Sequence, residues 1–269
     1  MSKKNILRLW GYEWECAMEG HRIIHPDYPY VFYDKEKISQ EKDVVKLTLG
    51  EPSQSSVEYW DGAVYYPQYG GGLIRSVDTF SYGYFSAEIM MPKGKGLWPS
   101  FWLCGEGSWP LHGEIDVCEG YSDNHYLRIF TPYFPWLNPS WKTTTNVHYQ
   151  EDNKHKQIGA RSISAFKFYN PADNFIRYEC EWTPDVIRIF IDGKLVRVDT
   201  EAVQIFSPLN RNDRILYRMC HNNDDAVKEH LRNISRMRVI FNLLCEDPKT
   251  HKISMDTPML IRNFNYYPL

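Results

Sequence analysis

Three acidic residues, Glu114, Asp116 and Glu119, form the part of this sequence best suited to proton transfer or covalent chemistry. They lie in the run Trp109-Pro110-Leu111-His112-Gly113-Glu114-Ile115-Asp116-Val117-Cys118-Glu119-Gly120, whose centre alternates as a strand does. Residues two apart in a strand share a face, so Glu114 and Asp116 point the same way while Ile115 and Val117 face the core. Strict alternation would send Glu119 to the core side, where an ionised carboxylate is costly. One β-bulge near Val117-Cys118 returns it to the face of the other two acids. Carboxyls so close repel one another, which raises at least one pKa and makes titration a property of the group. One acid can then stay protonated while another attacks. A pair of carboxyls about 5–5.5 Å apart is the arrangement of a retaining glycosidase. In a chain with 34 acidic residues the bare pattern also arises by chance, and an exposed acidic edge is the plain alternative. The surrounding segments must decide.

Acids that work together need rigid elements to hold them, and short strands recur along the chain. Val44 to Leu49, Tyr84 to Met91, Phe101 to Cys104, Ile115 to Cys118, Ile187 to Ile191, Lys194 to Val198, Arg238 to Leu244 and Met259 to Tyr267 read as strands. Asp192-Gly193 is a strong hairpin signal between two of them. Only Asp224 to Asn233 reads as helix, with Asn222 or Asn223 as its N-cap. This pattern predicts an all-β sandwich or barrel. With no repeat, low-complexity tract or linker, the 269 residues are read as one domain, 1–269. Phe130 to Asn146, rich in proline and aromatics, is expected to be a long functional loop.

Composition narrows the functions. A formal net charge of -3 argues against a nucleic-acid partner, whose phosphates demand a basic face. No stretch approaches the roughly 18 apolar residues of a membrane-spanning helix, so no membrane partner is expected. Met1 to Leu9 has two lysines but neither an apolar run nor a cleavage site, so no signal peptide is read there and the compartment is unassigned. Cys16, Cys104, Cys118, Cys180, Cys220 and Cys245 form no C-x-x-C pair, which argues against a zinc or redox site. They are expected as buried free thiols. Neither a G-x-S-x-G elbow nor a phosphate-binding P-loop is present. Nine Trp, 19 Tyr and 13 Phe remain, a surplus that suits a core and the flat apolar face of a ligand equally well.

The segments around the acids carry a resemblance. Tyr82-Gly83-Tyr84-Phe85-Ser86-Ala87-Glu88-Ile89, then Pro92-Lys93-Gly94-Lys95-Gly96-Leu97-Trp98-Pro99-Ser100-Phe101-Trp102, lead into Trp109-Pro110 and the acidic strand. Asn146-Val147-His148, Glu181-Trp182-Thr183-Pro184-Asp185 and Phe241-Asn242 add to the series. It resembles glycoside hydrolase family 16, in the laminarinase-like branch with the bulged motif, from about Val44 to the C-terminus. The resemblance implies a concanavalin-like β-jelly-roll sandwich of two antiparallel sheets with a concave polysaccharide cleft. It implies retaining endo-hydrolysis, best matched to β-1,3- or β-1,3-1,4-glucan. A galactan such as agarose, porphyran or carrageenan is the alternative substrate, transglycosylation an alternative outcome, and a non-catalytic carbohydrate-binding sandwich the alternative class.

By position, Glu114 resembles the nucleophile, Glu119 the acid/base and Asp116 the residue orienting Glu114. Trp102 and Trp109 match tryptophans that stack on sugars on the non-reducing side, and Trp98 is expected to line the same cleft. His148 resembles a cleft histidine on the leaving-group side. Asn242 either binds sugar or satisfies a backbone group, and Arg75 is a further cleft candidate. Two positions depart from the family pattern. Its Glu-Ala-Arg is Ser86-Ala87-Glu88 here, reversing a charge expected beside the cleft sheet, and Arg262 replaces an acid that often helps bind a structural calcium. No metal and no cofactor is therefore predicted, and a monomer is expected. The segment Tyr121 to Asn146, with Phe130, Tyr133, Phe134, Trp136 and Trp141, is expected to wall one end of the cleft.

Overall fold

In the computed structural model, residues 6–17, 24–25, 27–59, 61–121, 142–158, 163–164, 171–199 and 234–269 are described. The alternating runs assemble into two large antiparallel sheets. Among the described residues the first has nine strands, in the spatial order Ile6–Leu9, Tyr12–Cys16, Leu73–Ser76, Met237–Cys245, Leu97–Gly105, Glu114–Tyr121, Lys142–Glu151 and Lys154–Ile158; Ile163–Ser164 also pairs with Lys142–Glu151. The second runs Lys194–Asp199, Ile187–Ile191, Ile176–Trp182, Gly83–Met90, Met259–Pro268, Val44–Leu47, Ile38–Glu41. Three smaller sheets stand apart from these, and one of them contains a parallel pair, Val31–Tyr33 with Tyr69–Gly71.

One face of each large sheet packs on the other. Leu97, Phe101, Leu103, Ile115, Val117, Phe241 and Leu243 of the first meet Phe85, Ala87, Ile89, Tyr178, Trp182 and Ile261 of the second in one buried cluster. Phe101 and Phe241, cross-strand partners, stack with ring centroids 4.6 Å apart. Removing such side chains from water, at about 25 cal/mol per Å², is the main force holding the layers together. The expected all-β sandwich is the fold observed. Cys16, Cys104, Cys118, Cys180 and Cys245 form no disulfide among the described residues, and the last three are buried. No helix among the described residues is long and apolar enough to cross a membrane.

Several elements differ from the sequence expectation. Phe101 to Cys104 is only the middle of Leu97–Gly105, which runs through Pro99. That proline is tolerated because pairing with Glu114–Tyr121 begins one residue later, at Ser100 opposite Glu119. The expected loop Phe130 to Asn146 is corrected at its end, since Lys142 to Asn146 already belong to the strand Lys142–Glu151, whose β-branched Thr143, Thr144 and Thr145 favour extended backbone. Residues 122–141, with Trp136 and Trp141, lie outside the described residues, as do Cys220 and the helix expected at Asp224 to Asn233. The two family departures prove to be one feature. Glu88 and Arg262 are direct cross-strand partners in the second sheet, and Arg262 Nε donates to Glu88 Oε2 at 2.7 Å. The reversed charge thus lies on the outer face of the other sheet, balanced by Arg262, rather than beside the acids.

The acidic strand carries the expected bulge. Phe101 opposes Cys118 and Trp102 opposes Asp116, leaving Val117 as the extra residue. On the other side Asp116 opposes Asn146 and Glu119 opposes Thr144, so Val117 and Cys118 stand together against Thr145. Ile115, Val117 and Cys118 all enter the core, and the phase of the strand beyond them is reversed. Truncating Val117 to Ala should cost only about 2 kcal/mol in urea denaturation, the loss of two methyl groups with a small cavity. Deleting Val117 should also be tolerated, because Cys118 alone then separates Asp116 from Glu119 and regular alternation keeps Glu119 on the acids' face. A deletion variant that fails to fold would contradict this account of the bulge.

Candidate active site

On the face turned away from the core, the acids stand in successive cross-strand rows. Glu114 lies between Cys104 and His148. Asp116 lies in the row Glu15, Arg75, Ile240, Trp102, Asp116, Asn146. Glu119 lies in the row Leu73, Asn242, Ser100, Glu119, Thr144. The register therefore gathers Trp102, Asn242, Arg75 and His148 on the acids' face, and Trp98 joins them by alternation within Leu97–Gly105. These acids are no exposed edge: their strand is paired on both sides, with Asp116 only 4% and Glu119 8% exposed.

Each acid has its own partners. Glu119 accepts from Trp98 Nε1 at 3.0 Å on Oε1, and from Thr144 Oγ1 at 3.3 Å and Asn146 Nδ2 on Oε2. Glu114 Oε2 accepts from Trp109 Nε1 at 2.9 Å. His148 Nε2 lies 3.2 Å from Asp116 Oδ2 and 3.7 Å from Glu114 Oε1. Its Nδ1 is 2.9 Å from His155 Nε2, and the two imidazoles stack. The Trp109 ring completes this end of the site at 4.6 Å from His155.

Trp109 reaches Glu114 because the chain between the two strands doubles back tightly. Gly105 N donates to Gly113 O and Gly113 N to Pro110 O, each at 3.0 Å. Gly113 has φ +74°, which only glycine adopts without strain, and a Cβ on Gly105 would meet His112 O at 1.9 Å. Both glycines are thus fixed by the turn that brings the indole over the first acid.

The electrostatics single out Glu114. Burial pushes its carboxyl well above the usual range, and the Asp116 and Glu119 charges push the same way. The His148 charge and the Trp109 hydrogen bond oppose the shift without cancelling it. Glu114, Asp116 and His148 also each offer a ligand atom within 4.8 Å of the others, so this trio is where a divalent cation would sit if one bound.

The structure gives each expected site residue a position. His148 stands directly opposite Glu114 on the acids' face. Arg75 lies in the Asp116 row, but its Nε donates to Glu15 at 3.0 Å, so its charge is engaged in an ion pair. Asn242 is buried and accepts from Trp102 Nε1 at 2.6 Å, which makes it the support of that indole. Trp109 is half exposed, as a stacking platform requires. Thr144, Asn146, His155 and Tyr28 are site residues that sequence reading missed. Thr144, Asn146 and His148 alternate within one strand, so a strand assignment there would have placed all three on the acids' face. Tyr28, whose ring meets Trp98 edge-on at 5.3 Å, arrives from a distant segment and left no local signal.

Comparison with known proteins bears on this arrangement. A beta-glucanase of Rhodothermus marinus is 28% identical over 129 residues, covering 46% of this chain and 39% of that protein. A glucan endo-1,3-beta-glucosidase of Cryptopygus antarcticus is 26% identical over 206 residues, covering 74% of this chain and 66% of its own length. This chain therefore spans less than two thirds of either relative. A family 16 endo-glucanase of Bacteroides ovatus superposes with a TM-score of 0.58 at 18% identity, over 94% of each chain, a likeness of fold. The family model for glycosyl hydrolases family 16 matches residues 26–212, starting earlier than the expected Val44 and stopping short of the C-terminus. Because that match spans well over half of the 269 residues and runs through the acidic strand and the strand on either side of it, the chain belongs to glycosyl hydrolases family 16.

Proposed function

We propose that this chain is a retaining endo-β-glycosidase that cleaves β-1,3- or β-1,3-1,4-linked glucan. The observation that carries the reading is the bulge at Val117, which sets Glu114 and Glu119 on one face with Asp116 between them. Glu114 attacks the anomeric carbon while Glu119 gives its proton to the departing sugar oxygen. The glycosidic C–O bond breaks and an ester forms on Glu114. Water then attacks that carbon, Glu119 takes up the water proton, and Glu114 leaves as a carboxylate. Asp116, held by His148, orients Glu114 from between the two. Trp109 and Trp102 offer indole faces to pyranose rings on either side of the acidic strand, and Trp98 both fixes Glu119 and lines the cleft. The glucan assignment is supported by the Trp-Pro-x-x-Gly-Glu-x-Asp sequence and by the glucan-cleaving names of the relatives above.

Reducing-sugar release from laminarin, lichenan, agarose, porphyran and carrageenans tests both the activity and the substrate. Activity on laminarin or lichenan is expected, and Glu119→Gln should lower it by about 10²–10⁴-fold, the usual weight of a general acid. Glu114→Gln should lose at least as much. Substantial hydrolysis by either variant would reject the assignment, and binding without cleavage by the unaltered protein would favour a carbohydrate-binding role.

The raised Glu114 carboxyl has a kinetic consequence. A nucleophile must be ionised, so the acidic limb of kcat/KM should lie above the ordinary glutamate range near ~4.3. His148→Ala removes a charge that favours the ionised form and should move this limb higher still. A limb that stays put, or moves lower, would show that His148 does not act on Glu114.

A further inference from the structure

An acid/base that gives up and regains a proton in each cycle needs support for its charged form as well as a position. We propose that Asn146 and Thr144 are positioning residues for Glu119, holding its Oε2 and stabilising the carboxylate left when the proton passes to the departing sugar. This inference rests on the reading of Glu119 as the acid/base.

The geometry is specific. Thr144 is the direct cross-strand partner of Glu119, while Asn146 partners Asp116. Because the bulge shortens the offset between those two acids, side chains two residues apart on Lys142–Glu151 converge on a single carboxyl oxygen. Trp98 holds the other oxygen from the opposite strand. Thr144 and Asn146 are both buried, and Asn146 Oδ1 has no hydrogen-bond partner among the described residues. A buried amide with an unmet acceptor is a liability that an apolar residue of similar size would avoid. Its Nδ2 bond to Glu119 is what offsets that liability. Hydrogen bonds to an ionised acceptor are about twice as strong as those between neutral groups. All three donors therefore favour the state in which the Glu119 proton has left, and so act on the bond-breaking step rather than on substrate binding. In the second step the same carboxylate takes its proton back from the attacking water, and the Thr144 hydroxyl can then turn from donor to acceptor.

The test compares leaving groups. A glucan needs its departing oxygen protonated, whereas a 2,4-dinitrophenyl β-laminaribioside does not. With Asn146→Ala and with the isosteric Thr144→Val, kcat on glucan should fall about 10- to 100-fold, the worth of one bond to a charged group. KM should hold, the dinitrophenol burst should stay near that of the unaltered protein, and Thr144→Ser should restore the glucan rate. The retained burst also reports a folded site. Equal losses on both substrates, or no loss on glucan, would overturn the proposal. Glu119→Gln run in parallel separates the two levels of inference. If it shows the leaving-group split and the Asn146 and Thr144 variants do not, only this proposal fails. If Glu119→Gln lacks the split, the acid/base assignment falls and this proposal falls with it.

Discussion

A charged carboxylate cannot be left in the core of a sandwich, and the arrangement of this site follows from how one strand avoids that outcome. Taking an ion out of water costs several kcal/mol even after relaxation. Accommodating one extra residue disturbs a ladder hydrogen bond worth about 1 kcal/mol. The strand Glu114–Tyr121 takes the cheaper course at Val117, burying Val117 and Cys118 together and turning Glu119 outward. The same irregularity that protects the core sets the relation between the two glutamates.

Turning the acids outward does not by itself make them comfortable, since three carboxyls share a largely dry face. The neighbouring strands answer with donors matched to each one. Trp109 reaches Glu114 through a turn that requires Gly105 and Gly113, His148 sits against Asp116, and Trp98, Thr144 and Asn146 surround Glu119. The compensation is incomplete at Glu114, whose carboxyl stays well above the usual range because burial and Asp116 outweigh His148 and Trp109. Incomplete compensation suits the proposed nucleophile, which must form a bond in one step and leave in the next. The indoles of Trp98 and Trp109 each give an N–H to a carboxylate, and in the proposed reaction they also offer a flat face to sugar.

Much of this was legible in the sequence, for reasons that differ by element. The two-residue period exposed Glu114 and Asp116 as one face, and the cost of a buried charge was enough to place the bulge. Strand ends were read less well where proline intervened, as at Pro99, because the sequence does not say which side of a strand lacks a partner. The aromatics and prolines before Asn146 outweigh the three threonines in a local reading, which conceals that Thr144 and Asn146 lie on a strand paired with the acids. Tyr28 and the Arg75–Glu15 pair depend on contacts between distant segments, which periodicity does not encode. Glu88 and Arg262 looked like two separate departures until pairing of their strands made them one ion pair.

The central claim is that the bulge divides the work between Glu114 as nucleophile and Glu119 as acid/base. A 2-deoxy-2-fluoro laminari-oligosaccharide with a dinitrophenyl leaving group slows release of the covalent intermediate, and peptide mass spectrometry then locates the bond. The account predicts one glycosyl ester, on Glu114. An ester on Asp116 or Glu119, or hydrolysis whose first product has inverted anomeric configuration, would contradict it.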